Sequence, residues 1–399
     1  MAQTTLLQDF SVSYSYSVHF TEAAFQLSNT LLSDLIGSRS PSSRGFTSKI
    51  AFVIEEAIAQ LHPMLAASIE EYCRILLPNS LSQSGIIALP GGEYSKNTPA
   101  ILEQLYDFLH REQICRHSYV VVIGGGALID AVGYAAATTH RGVRLIRMPT
   151  TVLAQNDAGI GVKNSVNAFG KKNFIGSFAP AYAIINDSVF LRSLSMRDWM
   201  AGTAEAIKVA LIKDATFFEF LEECAGHLLS RHMPVMQRLI HRCAQLHLDH
   251  ITKGGDPFEL GSSRPLDFGH WSAHKLEALA GHTIRHGEAV AIGIELDAAY
   301  SLLSGHLDER DFARITTLFD ILGFSVWREH LTLLLQDDHL STALNDFQEH
   351  LGGELHITLL SAIGTAVDVH SIDLGKMRDA IKLVTSLPRS PARGEILAA

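Results

Sequence analysis

The sequence predicts an α/β protein: an N-terminal domain built on a parallel sheet, followed by a mainly α-helical C-terminal domain. Three observations predict it. Short apolar runs recur at 50–54, 85–89, 119–123, 145–148 and 181–185, with helical stretches such as 98–110 between most of them. Strand–helix alternation of that kind builds parallel sheets. Beyond Asp187 the pattern becomes long and helical, over 197–212, 217–230, 234–250 and 272–304. Finally, Gly124-Gly125-Gly126 ends one apolar run and opens a helical one, the join at which glycines let backbone and a helix N-terminus approach an anion.

The remaining elements follow in order. Phe10, Val12, Tyr14, Tyr16 and Val18 alternate with mostly Ser over 10–20, which predicts a half-buried strand. Ser, Gly, Pro and Arg over 38–48 predict a loop. An extended segment at 355–360 interrupts the helical half, and the Pro- and Arg-containing stretch 386–399 reads as a mobile tail. The predicted units are residues 1–190, 191–385 and the tail 386–399.

The bulk numbers exclude some classes. A length of 399 residues with 47% hydrophobic residues supports two or three domains with a large core. A net charge of −10 without a basic tract argues against a nucleic-acid partner. The four cysteines, Cys73, Cys115, Cys224 and Cys243, are far apart, so neither a disulfide framework nor a thiolate zinc site is expected. No secretory pattern and no apolar run of roughly 18 residues stand in the chain, so the expectation is a cytoplasmic protein with no membrane partner.

Several constellations could carry chemistry. The glycine turn leads to Asp130; Pro90-Gly91-Gly92-Glu93 with Lys96 follows another strand; Thr150 and Thr151 end a third. Ligands gather at that edge of open α/β sheets. Asp157, Gly161, Lys163, Asn167, Gly170, Lys171, Lys172 and Asn173 then form a stretch suited to phosphate and sugar hydroxyls. His270 and His274 lie one helical turn apart, as do His282 and His286, and imidazoles so spaced can hold a divalent ion. Glu205 sits in a largely apolar helix, where an unpaired charge is expensive, and Lys208 follows it by one turn. Taken singly, a packed turn, a solvated Glu–Lys pair, a surface lysine or a mobile loop accounts for each.

Together and in this order they resemble the sugar phosphate cyclase superfamily, of which 3-dehydroquinate synthase is the best-known member. The resemblance runs from about residue 91 to 291: Gly91-Gly92-Glu93 with Lys96, the turn 124–130, the segment 141–151, Asp157 with Lys163 and Asn167, Lys172-Asn173, Glu205 with Lys208, Phe268-Gly269-His270, and Arg285-His286-Gly287-Glu288. It implies a dehydroquinate synthase-like fold, an NAD-binding α/β domain beside a helical metal-binding domain. It implies Zn2+ or Co2+ on Glu205, His270 and His286, with His274 and His282 not ligands. Substrate positions fall on Lys208, His274, Lys163, Asp157, Lys172, Asn173 and Glu259, with Arg141 reaching phosphate across a homodimer interface. Cofactor positions fall on Glu55, Glu93, Lys96, Gly124, Gly125, Gly126, Asp130, Thr150 and Thr151. The implied reaction is cyclisation of a seven-carbon (C7) sugar phosphate by transient oxidation, phosphate elimination, reduction and intramolecular aldol closure, the work of a phosphate-eliminating carbon–oxygen lyase.

The chain departs from 3-dehydroquinate synthase at several cations. Gly161-Val162-Lys163 replaces Gly-Gly-Lys, Asp267 replaces an Asn, and Ser263 stands where the family has Arg, with Arg264 next to it. A family Lys about ten residues before Glu259 is missing, with Asp249 or His250 in that stretch, and Gln348, Glu349 and His350 stand where a late phosphate lysine is expected. The Asp267 and Ile160-to-Lys163 features are similar to 2-epi-5-epi-valiolone synthases, and the whole resembles an ebo-type branch found in bacterial secondary metabolism. A metal-dependent polyol dehydrogenase of the same fold, or a non-catalytic cofactor-binding homologue, is the alternative.

Overall fold

The computed structural model describes residues 5–37, 48–78, 80–261, 264–281 and 283–389. Its strands are β1 (Ser17–Thr21), β2 (Ile50–Glu55), β3 (Leu81–Leu89), β4 (Tyr119–Gly124), β5 (Arg144–Pro149), β6 (Lys163–Ala168), β7 (Lys171–Phe178), β8 (Ala183–Asp187), β9 (Ile357–Ala362) and β10 (Thr365–Val369). Six of them form one parallel sheet in the order β1-β8-β5-β4-β2-β3. The α/β class read from the apolar runs is therefore the observed one.

The central strands β2 and β4 are apolar at consecutive positions because both faces of the sheet are covered. Ile50, Phe52 and Ile54 pack with Leu32, Ile69 and Tyr72 on one side, whereas Ala51 and Val53 pack with Leu105, Phe108 and Val132 on the other. The chain goes from β2 to β3 on one flank and then returns to β4 on the opposite flank. That reversal opens a crevice at the carboxyl ends of β2 and β4, where ligands bind in open α/β sheets.

The second half is a helical body. The helix Thr203–Lys213 is buried at every position from Thr203 to Ile212, and His286–Leu303 is buried continuously from Gly287 to Ser301. Helices buried all round sit in the middle of a core. Around them lie Ala215–Leu229, Met233–Lys253, His270–Leu279 and the β9–β10 hairpin. Among the described residues no helix is long and apolar enough to cross a membrane.

Four expectations need correction. The strand foreseen over 10–20 begins only at Ser17, because β8 offers partners for Ser17 to Thr21 alone; Phe10 and Val12 are exposed. The stretch 157–173, read as an anion loop, is a π-helical turn, Ala154–Ala158, followed by the antiparallel β6–β7 hairpin. Its polar, glycine-rich sequence hid the strand alternation. The helix foreseen over 272–304 is two helices, since Gly281 adopts a left-handed φ of +58° and ends the first. The helix foreseen over 197–212 is likewise Met196–Ala201 followed by Thr203–Lys213, with Gly202 between them. Most of the predicted loop (38–47), His282, Ser263 and the tail from 390 onward lie outside the described residues.

Candidate active site and metal centre

At the crevice, the helix Gly126–Thr138 begins directly after β4, with Gly125 in the N-cap position. Glu55, the last residue of β2, accepts a 2.6 Å hydrogen bond from the Gly125 backbone N–H. Burial raises the Glu55 carboxyl above its ordinary range, against that hydrogen bond. A side chain at Gly91 or Gly124 would run into this carboxylate, so the glycines are what allow β2, β3 and β4 to close around it. Thr150, just past β5, has a buried hydroxyl with no hydrogen-bond partner, and Thr151 accepts from the Ala154 N–H at 3.1 Å. A helix N-terminus, close-approach glycines and an orphaned hydroxyl fit a dinucleotide pyrophosphate.

The hairpin is tied to this edge by Lys96 and Arg147. Lys96, buried, meets Asp130 at 2.6 Å, donates to Ser165 Oγ at 3.0 Å and also contacts Asn173. Asn167 donates to Glu93 at 2.9 Å. Arg147 points from β5 into the fold and is fully buried. Its guanidinium donates to the Gly159, Gly161 and Lys163 carbonyls at 3.1, 2.7 and 3.1 Å, and to Asn164 Oδ1 at 2.7 Å.

The metal-type cluster lies between the two halves. Glu205, His270 and His286 each offer a ligand atom, all within 4.8 Å of one another. Glu205 is fully buried; its Oε2 is paired with Lys208 Nζ at 2.6 Å, and the His270 and His286 Nε2 atoms stand 3.5 and 3.4 Å from Oε1, too far for good hydrogen bonds. Both imidazoles are oriented from behind. His270 Nδ1 donates to the Phe268 carbonyl at 3.1 Å, and His286 Nδ1 donates to Glu277 at 2.9 Å. Each Nε2 is thereby left for a ligand bond, the arrangement in which an outer carbonyl or carboxylate fixes a metal-binding tautomer. A buried carboxylate with one oxygen paired to Lys208 and the other facing two such nitrogens fits a divalent ion with an open coordination position. His274 lies beside them, with ring centroids 5.6 Å from His270 and 6.0 Å from His286. Burial, then the neighbouring His270 and His286, push it down to about 3, so it is neutral near neutral pH.

This arrangement has a titration consequence. Burial alone would lower His286, but Glu277 and then Glu205 outweigh it and hold it up at about 9 in the metal-free protein. Coordination needs the bare Nε2, so metal uptake near neutral pH should release about one proton, and affinity should climb as pH rises toward 9. Calorimetry in buffers of different ionisation enthalpy measures the release. In Glu277→Gln the release should shrink, with Glu205 left as the acid that raises His286, and the affinity should fall by about 10–100-fold.

A polar chain leads away from the metal cluster. Lys208 Nζ is 2.6 Å from Glu205 and 3.5 Å from Asp157; Asp157 Oδ1 is 2.9 Å from His247 Nε2. Although burial opposes the charge, Glu205 and Asp157 hold Lys208 above the ordinary lysine range, while His247 and Lys208 hold Asp157 low. Lys172 reaches Glu277 at 2.5 Å and Glu93 at 3.3 Å, and Lys163 reaches Glu259 at 2.6 Å.

The structure thus gathers Glu205, His270, His286, His274, Lys208, Asp157, Lys172 and, through Glu93, Lys96 and Asn173, the cofactor edge. Arg141 does not join them: it is exposed, with φ of +62°, in the turn after the helix Gly126–Thr138, at the amino end of β5 and away from the site. Arg264 turns inward, 3.6 Å from Glu259 and donating to His350 at 2.9 Å. Three site residues escaped the sequence reading. Glu277 sits two helical turns after His270 on the same face, a spacing that was available. Arg147 was visible as a cation between Ile146 and Met148 inside an apolar strand. In the stretch assigned to Asp249 or His250, His247 on the same helix meets Asp157 at 2.9 Å, while His250 lies near enough to Lys163 and Lys208 to be lowered by both.

A parallel-sheet crevice with a glycine turn, beside a helical half carrying a buried Glu and two oriented His, defines a cofactor- and metal-type enzyme site. The 3-dehydroquinate synthase N-terminal model matches residues 86–201 and the 3-dehydroquinate synthase C-terminal model matches 202–346. The chain belongs to the 3-dehydroquinate synthase family. A 3-dehydroquinate synthase of Pelobacter propionicus is 37% identical over 281 residues, covering 70% of this chain and 76% of that one. A 2-epi-valiolone synthase of Actinosynnema mirum is 30% identical over 368 residues, covering 92% and 91%. Among solved structures, ValA, the 2-epi-5-epi-valiolone synthase of Streptomyces hygroscopicus subsp. jinggangensis with NAD+ and Zn2+ bound, superposes with a TM-score of 0.79 at 25% identity, over 95% of this chain and 99% of that one.

Proposed function

We propose that this protein is an NAD- and divalent-metal-dependent sugar phosphate cyclase, a phosphate-eliminating carbon–oxygen lyase (EC 4.2.3 type) acting on a seven-carbon sugar phosphate in secondary metabolism. The observation that carries the reading is the buried Glu205 facing the Nε2 atoms of His270 and His286, in a chain whose two family models run without a gap from 86 to 346. We assign residues 1–190 to the cofactor domain and 191–385 to the metal and substrate domain.

Gly124, Gly125, Gly126, Glu55, Glu93, Lys96, Asp130, Thr150 and Thr151 would hold the dinucleotide, and Glu205, His270 and His286 the metal. When bound, the nicotinamide exchanges a hydride and the metal stabilises developing negative charge on substrate oxygens. The protein's own residues do the rest. Lys208 stays protonated between Glu205 and Asp157, so it donates to a substrate oxygen rather than acting as a base. Asp157 is ionised and partly exposed, placed to accept a substrate hydroxyl. Lys163, Lys172, Asn173 and the neutral His274 supply donors for phosphate and hydroxyls, and Glu259 holds Lys163 in place. Arg141, exposed at the far end of β5, is assigned to the site of a partner subunit in a homodimer.

The test is incubation of the NAD- and zinc-loaded protein with sedoheptulose 7-phosphate and, separately, with the seven-carbon keto-acid phosphate. Phosphate release and a carbocyclic product by mass, without net NADH, is the expected result. Continuous NADH accumulation would mark a dehydrogenase instead, and silence with both substrates a binding homologue.

A further inference from the structure

We propose that His247 is a positioning residue for the reaction: a doubly protonated imidazole that clamps Asp157 so that the carboxylate presents its second oxygen toward Lys208 and the substrate. The inference rests on the cyclase reading for its catalytic consequence alone.

The geometry starts on the helix Met233–Lys253. Residues four apart lie one above the other, and His247 Nδ1 stands 3.0 Å from the Cys243 carbonyl. A carbonyl can only accept, so Nδ1 carries a proton. Nε2 then stands 2.9 Å from Asp157 Oδ1, an ion-pair distance off the line of an ideal hydrogen bond. A neutral imidazole of this tautomer would set an electron-rich nitrogen 2.9 Å from a carboxylate oxygen, which is repulsive. The contact is attractive when Nε2 carries a proton as well. The imidazole is 2% exposed, so water does not mediate the pair.

The charged and titratable groups around it agree. Asp157 comes from the π-helical turn, Glu205 and Lys208 from the helix Thr203–Lys213, and Cys243 and His250 from its own helix. Glu205, Lys208, Asp157 and His247 alternate in sign along a chain that is buried except at Asp157. Removing the last positive charge leaves a carboxylate poorly compensated in an apolar setting, which is costly. Burial disfavours the imidazolium, yet Asp157 outweighs it and holds His247 well above its ordinary range. Asp157 keeps part of its surface open, whereas His247 does not, so His247 acts through Asp157 rather than on substrate.

The first measurement needs no substrate. In histidine-15N-labelled, zinc- and NAD-loaded protein, His247, assigned by its loss in His247→Gln, should show protons on both ring nitrogens near neutral pH. In Asp157→Asn it should lose the second proton. A neutral His247 in the loaded wild-type protein overturns the proposal, whatever the substrate proves to be. The second measurement is the pH profile of turnover. His247→Gln removes the positive charge that keeps Asp157 acidic, so the acid limb of kcat/KM should move to higher pH and kcat should drop by about 10–100-fold with KM changing less. His247→Lys restores a cation and should recover the limb in part. An unchanged acid limb in His247→Gln sinks the positioning role. If His247→Gln does not fold, loss of the signal in His247→Lys supplies the assignment for the labelled wild-type protein, and the His247→Lys profile supplies the kinetic test.

Discussion

Glu205→Gln is expected to strip the divalent ion from the protein and to abolish turnover. The substitution preserves shape and removes a single negative charge. In the native chain that charge serves two partners at once: Lys208 at 2.6 Å, and the open space shared with the His270 and His286 Nε2 atoms. A neutral amide is a poor ligand for a divalent ion, and its NH2 group is a donor facing two nitrogens that need an acceptor or a metal. Loss of charge stabilisation on substrate oxygens is worth several kcal/mol, so kcat should fall by about a thousandfold or more. Stability should suffer as well, because Lys208 is 2% exposed and would lose its nearest counter-charge. Breaking a buried pair by removing one member costs about 3–5 kcal/mol. Metal content after dialysis, measured by mass spectrometry, and the urea midpoint of the metal-free protein check both halves. Glu205→Asp retains the carboxylate one methylene further back and should regain activity with excess metal. Stoichiometric zinc held by Glu205→Gln would show that the ion does not bind there.

How far this site could be read without coordinates depends on which signal each residue leaves. Glu205 was conspicuous because a carboxylate inside an apolar helix asks for a partner, and the partners foreseen, His270 and His286, are the ones that meet it. Spacing alone could not choose them. His270 and His274 repeat one turn apart, as do His282 and His286, and a continuous helix would have aligned the pairs differently. The break at Gly281 starts a new helix at His286 and aims that ring back at Glu205. The sheet was legible because β2 and β4 are apolar at consecutive positions, a pattern that solvent-facing strands cannot show. The β6–β7 hairpin was not, because its strands face a polar cleft and carry Lys, Asn and Ser where buried strands carry Val and Ile. His247 was missed for a related reason. The expectation looked for a lysine at a fixed distance from Glu259, whereas the structure measures position along the helix Met233–Lys253.

Arg147→Met should disorganise the substrate hairpin although Arg147 touches no proposed ligand. Its guanidinium satisfies three backbone carbonyls and the Asn164 amide oxygen from inside the fold, and these belong to the chain that carries Asp157, Lys163, Lys172 and Asn173. Methionine fills much of the volume but donates nothing, so four acceptors lose their partner, two of them, the Gly159 carbonyl and Asn164 Oδ1, in buried contacts. Each orphaned acceptor costs about 1–3 kcal/mol before relaxation. The turn from Gly159 to Asn164 should relax by rotating carbonyls toward solvent, carrying Lys163 off Glu259 and slackening the contact of Asn164 with Gly133 on the helix Gly126–Thr138. The expected outcome is a destabilisation of about 3 kcal/mol or more. Turnover should drop by about a hundredfold, since displacement of positioning groups by an ångström is enough for that. Zinc content should stay near the wild-type value, because Glu205, His270 and His286 lie on helices that Arg147 does not touch. Differential scanning fluorimetry, hydrogen exchange across 159–178 and metal analysis distinguish this result from general unfolding. Asn164→Ala, which removes one of the four acceptors together with its side chain, should show the same pattern at a fraction of the size. A wild-type melting temperature in Arg147→Met would mean that the hairpin holds itself together without the arginine.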